Sequence, residues 1–106
     1  MAGFQFVSPD IAVDIGTDNT RVYVKDKGIV VNEPSVVITR GEEPRNIVAV
    51  GDSAEEMIGR AGGNIRIIHP LRDGVIVDYE MAQIMVHYFV SKAIGTRRFV
   101  RPRVVV

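Results

Sequence analysis

The chain has 106 residues, 46% apolar and 25% charged, which suits one folded domain or a piece of one and excludes a disordered chain. Thirteen basic and thirteen acidic residues cancel, and there is no cysteine, so a nucleic-acid-binding basic field, disulfide staples and thiolate catalysis are all excluded. No apolar run approaches membrane-spanning length, and Met1 to Pro9 lacks the basic-then-apolar order of a secretory signal.

Met1 to Ser8, with Phe4, Phe6 and Val7, reads as a strand lead-in pinned by Pro9; without a basic residue, a lipid-bound amphipathic tether is the weaker alternative. Strands follow at about 10–15 and 20–25. Between them Asp14-Ile-Gly-Thr-Asp-Asn-Thr20 makes a hairpin with a polar tip. Gly16 lets backbone approach a ligand closely, while Thr17, Asn19 and Thr20 offer short side-chain donors. Consecutive amides at such a tip form an anion-binding nest. Asp14 ends its strand facing the nest, where a carboxylate orients water on a phosphate-bound Mg²⁺. An ordinary polar turn accounts for the same seven residues equally well. Lys25 to Gly28 is a charged turn, and Gly28 to Val31 completes a three-stranded antiparallel meander that Asn32-Glu-Pro34 breaks.

A second unit spans roughly 33–75. Ser35 to Thr39 and Ile47 to Val50 read as strands around a charged loop, Arg40 to Asn46. Asp52 starts a short helix as N-cap, with Glu55 at capping-box spacing and Gly59 as the left-handed residue that ends it. Gly62-Gly-Asn64 turns the chain into a strand at Ile65 to Ile68, closed by Pro70. After a turn at Leu71 to Gly74 and an extended Val75 to Val77, Asp78 caps the longest helix, about 79–94. Met81, Ile84, Met85, Tyr88 and Phe89 recur at the spacing of one buried face. Lys92 falls in the last turn, and Gly95 follows it. Four arginines then surround Phe99-Val100, and Arg103 to Val106 is an all-apolar strand of the buried parallel kind. That strand lacks a turn or polar cap after it. This suggests the opening part of a longer protein or a truncated relative of one, and an open apolar edge predicts pairing with another copy.

Chemistry-bearing clusters are sparse. His69 and His87 have no motif-spaced partner, so neither reads as a metal ligand. Glu42-Glu43 and Glu55-Glu56 read as solvated surface, and Asp73 and Asp78 as turn and cap residues. Phe99 and Val100, ringed by cations, suit an anionic membrane face; covering the end of the preceding helix is the competing role.

Taken in order, Asp14 to Thr20, Val22-Tyr-Val-Lys25, Lys27-Gly-Ile-Val30, Asn32-Glu-Pro-Ser-Val-Val37, Val48 to Gly51, Met57 to Arg60, Gly63-Asn-Ile65 and Pro70-Leu-Arg-Asp-Gly-Val-Ile76 resemble the MreB family of bacterial actin homologues. The first block is shared with sugar kinases and Hsp70-type chaperones. The blocks at Asn32 and Pro70 are much more specific. The resemblance implies an α/β fold, α+β in part: the first half of an actin-like ATPase built on a ribonuclease-H-like sheet. Residues 1–32 and 76–106 would form the large nucleotide-side subdomain, and 33–75 the small inserted one.

It also implies a phosphate loop of Gly16, Thr17, Asp18 and Asn19, Asp14 facing the water shell of Mg²⁺, and ATP as the ligand. Asp18 stands where the family usually has a small residue. Phe99 and Val100 match the family's membrane-inserting loop. The whole protein would assemble into filaments under the inner membrane, on the cytoplasmic side, and guide cell-wall synthesis with the elongation machinery to set rod shape, with no nucleic acid involved. The family's second phosphate loop, adenosine pocket and water-activating acid lie after Val106. These residues alone are therefore expected to be a poor ATPase and at most a weak nucleotide binder. The alternatives are a small-molecule kinase of the same superfold and an interaction module that has lost the nucleotide.

Overall fold

A computed structural model of the chain describes residues 4–7, 10–41, 46–60 and 63–95. The first sheet is antiparallel throughout. It orders β1 (Phe4–Val7), β2 (Ile11–Ile15), β3 (Asn19–Val24) and β4 (Gly28–Pro34) as neighbours in that sequence. The expected meander is present, and the lead-in adds a further strand on the free edge of β2. Alternation sets the register: Ile11, Val13 and Ile15 are buried, while Ala12 and Asp14 are only half-buried. Asn32-Glu-Pro34 does not break the third strand of the meander, because β4 runs through to Pro34. Proline is tolerated there since β4 is an edge strand and Pro34 is its last residue.

The second unit is a sheet of order β6-β5-β7, with β5 (Val37–Arg40) central between β6 (Ile47–Val50) and β7 (Ile65–Ile68), both antiparallel to it. β5 starts two residues later than the expected Ser35. Ser35 instead bonds back to the hairpin, its amide donating to Asp18 O at 2.9 Å. Within β5, Val37 joins the main core while Ile38 joins a second cluster with Val36, Ala49 and Ala54 of α1 (Asp52–Met57).

Asp52 is not the N-cap of α1. That position is Gly51, which gives no side-chain cap. The cap comes from β4, where Glu33 Oε1 accepts the Asp52 amide at 2.9 Å. The reason is steric. Gly51 has φ 67°, and a Cβ there would lie 2.3 Å from Glu33 Oε1 and 2.7 Å from Phe89 Cε1. Only glycine fits, so the capping oxygen must be supplied from outside the helix. At the other end, Ile58 is the C-cap and Gly59 follows with φ 90°.

β8 (Leu71–Arg72) and β9 (Val75–Ile76) form a minimal hairpin. Its turn residues Asp73 and Gly74 both have positive φ, as a two-residue type I′ turn requires. α2 (Tyr79–Ile94) begins as expected, with the Asp78 carboxylate accepting the Met81 amide at 3.1 Å, and ends at Gly95 with φ 86°. Its buried face is Met81, Ala82, Met85, Val86, Phe89 and Val90; Ile84 is half-buried and Tyr88 exposed. The face is thus turned slightly from the expected stripe. α2 packs across β2, β3 and β4. The main core joins Val13, Ile15 and Val22 of the first sheet to Met85 and Phe89, and continues into Val37, Val50 and Leu71 of the second unit.

Candidate phosphate-binding site

The tip of the β2–β3 hairpin is closed by Gly16, whose amide donates to Asn19 O at 2.9 Å. Neighbouring segments then fasten it. Ser35 Oγ donates to Gly16 O at 2.7 Å, and Thr17 Oγ1 accepts the amide of Gly74 at 2.7 Å. Asn19 Nδ2 donates to Asn32 Oδ1 at 3.3 Å. The amides of Thr17 and Asp18 have no acceptor among the described residues. They remain as donors for an incoming anion. Thr20 offers nothing to a ligand, contrary to expectation. It is fully buried and its hydroxyl bonds Ser35 Oγ at 2.8 Å.

Asp14 lies opposite Arg21 in the β2–β3 register, with Oδ2 4.0 Å from the guanidinium. Its Oδ1 is buried and has no hydrogen-bond partner among the described residues. A buried acceptor left unpaired costs about 1–3 kcal/mol. A hydrated cation would satisfy it, so the residue fits the role of orienting Mg²⁺-bound water. No group of three or more potential ligands gathers among the described residues. Such an ion would therefore be held by phosphate and water rather than by a protein cage.

A cleft of about 440 Å³ opens between the tip, the end of β4 and α1. Asp18, Asp52 and Glu55 line it with Thr17, Asn19 and Asn32; among the described residues no lysine or arginine does, and Asp14 lies outside it. Three carboxylates do not favour a phosphate on that side of the tip. His69 and His87 are exposed, as are Glu55 and Glu56. Phe99, Val100, the arginines beside them, Glu42, Glu43 and Val104 to Val106 lie outside the described residues.

Two participants were not legible as such in the sequence. Ser35 reaches the tip because the β3–β4 register sets Asn19 against Pro34, one residue short of the Asp18–Ser35 contact. Glu33 caps α1 with one oxygen, and its Oε2 pairs with Lys92 Nζ near the end of α2. That bond raises the Lys92 ammonium above the ordinary lysine value of 10.5. Register counting from the hairpin could have found Ser35. Nothing local announces Glu33.

The family profile described as MreB/Mbl protein matches residues 8–106. This chain belongs to the MreB/Mbl family. It is 45% identical over 98 residues to the cell shape-determining protein MreB of Escherichia coli K12, covering 90% of this chain and 28% of that protein. It is 44% identical over 97 residues to the cell shape-determining protein Mbl of Bacillus subtilis 168, covering 92% of this chain and 29% of that protein.

Among solved structures, MreB5 of Spiroplasma citri bound to AMPPNP superposes with TM-score 0.68 at 37% identity, over 84% of this chain and 25% of that one. The ADP-bound form gives 0.66 at 39%, over 76% and 24%. The fold is the actin-like one of the MreB/Mbl family, and the kinase alternative is not favoured. The chain spans under a third of the length of the curated relatives it matches. No helix among the described residues is long and apolar enough to cross a membrane.

Proposed function

We propose that the chain supplies the first phosphate-binding jaw of an actin-like, ATP-binding filament protein that determines rod cell shape by guiding cell-wall synthesis. The hairpin tip carries this reading: its closure and fastening leave the Thr17 and Asp18 amides without acceptors, and the strand leading into it carries the unpaired Oδ1 of Asp14. The amides of Gly16 to Asn19 divide the work. Gly16 closes the loop, and the Thr17 and Asp18 amides donate to phosphate oxygens. Asp14 orients the water shell of Mg²⁺, which when bound neutralises phosphate charge. The exposed Asp18 carboxylate, on the cleft side of the tip, keeps its charge off the phosphate only by pointing away.

Residues 33–75 form the small inserted subdomain in this reading, and 1–32 with 76–106 the large one. The ADP and AMPPNP named for the Spiroplasma citri structures support a nucleotide ligand. Filament self-association, contact with the inner membrane through Phe99 and Val100, and work with the elongation machinery at the cytoplasmic face complete the proposal. With the opposing phosphate loop outside these residues, the chain alone binds nucleotide weakly and hydrolyses it poorly.

The test is an NMR titration of the chain with Mg-AMPPNP. Shifts centred on Asp14 and Gly16 to Asn19, lost on removing Mg²⁺ or in Asp14→Ala, are expected. Shifts confined to other segments, or none at millimolar nucleotide, would refute the proposal.

A further inference from the structure

We propose that Ser35 is the positioning residue of the phosphate loop. It ties two carbonyls of the hairpin tip inward and thereby aims the tip's amides at the anion; the inference rests on the nucleotide reading above. The hydroxyl of Ser35 has a single proton. It goes to Gly16 O at 2.7 Å, so the 2.8 Å contact with Thr20 Oγ1 is donated by Thr20. Thr20 and Ser35 are 0% and 1% exposed, so the bond between them is shut off from water, while the one to Gly16 O is part-buried. The Ser35 amide holds a second carbonyl, Asp18 O, at 2.9 Å.

The consequence follows from peptide geometry. No described peptide bond is cis, and a trans peptide directs its N–H opposite its C=O. With Gly16 O drawn towards Ser35, the Thr17 amide points away from the end of β4. With Asp18 O drawn the same way, the next peptide plane is fixed too, so of the two free amides Thr17 is aimed directly and Asp18 lies in the one peptide between two anchored ones. The Gly74 bond cannot do this, because it holds the Thr17 side chain and leaves the peptide planes free. Alanine at 35 would strand the buried Thr20 hydroxyl and release Gly16 O from its anchor. Ser35 touches no ligand in this scheme, and its effect passes entirely through residues 16–19.

The experiment compares the chain with Ser35→Ala and with Ile38→Val, a control that trims the other cluster. Mg-AMPPNP affinity and amide exchange at Gly16 and Ser35 are read by NMR. Relative to the control, Ser35→Ala should weaken Mg-AMPPNP by about fivefold or more and speed both exchanges by about the same factor, as loss of a hydrogen bond implies. A general loss of stability would not reproduce this difference, because Ile38→Val shares it without touching the tip. A smaller change in affinity overturns the proposal. If the unaltered chain binds no nucleotide, the nucleotide reading fails on its own account. Exchange then decides: unchanged protection at Gly16 and Ser35 overturns the clamp. Should Ser35→Ala not fold, Ser35→Cys replaces it under the same thresholds, since its thiol is a weaker donor of similar size.

Discussion

Gly51→Ala is the sharpest test of how α1 is attached. At φ 67° and ψ −129°, the residue holds a backbone conformation that costs a non-glycine residue about 1–3 kcal/mol. The added Cβ would also lie 2.3 Å from Glu33 Oε1 and 2.7 Å from Phe89 Cε1, and Phe89 is fully buried. Relieving such overpacking costs about 1–3 kcal/mol more. A combined loss of about 4 kcal/mol is therefore expected, a large share of the ~5–15 kcal/mol typical of a domain. Urea unfolding followed by circular dichroism measures it, with the slope unchanged so that the midpoint reports stability. Because part of the loss comes from Glu33, the double variant with Glu33→Ala should lose less than the sum of the singles. A single-variant loss under about 1 kcal/mol, or strict additivity, would refute the account of a cap imported from β4.

The Glu33–Lys92 pair should make stability fall in strong alkali. A raised lysine pKa adds stability that is present below the ordinary value of 10.5 and is lost as pH climbs through the folded value. Lys92 is half-exposed, so the effect is small. The urea midpoint measured from pH 9 to 12 should fall less steeply in Lys92→Met than in the unaltered chain; equal slopes would count against the pairing. Asp78→Ala should cost about 1 kcal/mol through its lost cap, whereas Asp52→Ala should cost only a few tenths, because Asp52 caps nothing. Equal losses in thermal melts would contradict that contrast. Phe99→Ser with Val100→Ser should abolish co-sedimentation with anionic liposomes, and unchanged sedimentation would retire the membrane loop.

What the sequence revealed divides by range of interaction. α2 was readable from Asp78 to Gly95 because cap, stripe and stop signal sit within one continuous segment, each acting over a few residues. The β2–β3 hairpin was readable for the same reason. Asp52 misled because Asp followed three residues later by Glu is a local cap signature, while the actual cap lies 19 residues away in sequence. Thr20 misled in a similar way: a hydroxyl near a polar tip looks available until the strand register turns it inward against Ser35. At the site, Asp14 and the bare amides followed from the hairpin pattern. The fastening by Ser35 follows from the β3–β4 register, whereas that by Gly74 depends on how separate sheets meet, which no periodicity encodes.

β5 has Val37 and Ile38 side by side in sequence yet lodged in different apolar clusters. It is the shared wall of two rooms. Tilting α1 on one side would drag the wall against Val13 and Phe89 on the other, and interiors packed this densely yield little. Any movement of α1 relative to α2 must then carry both sheets along as one block.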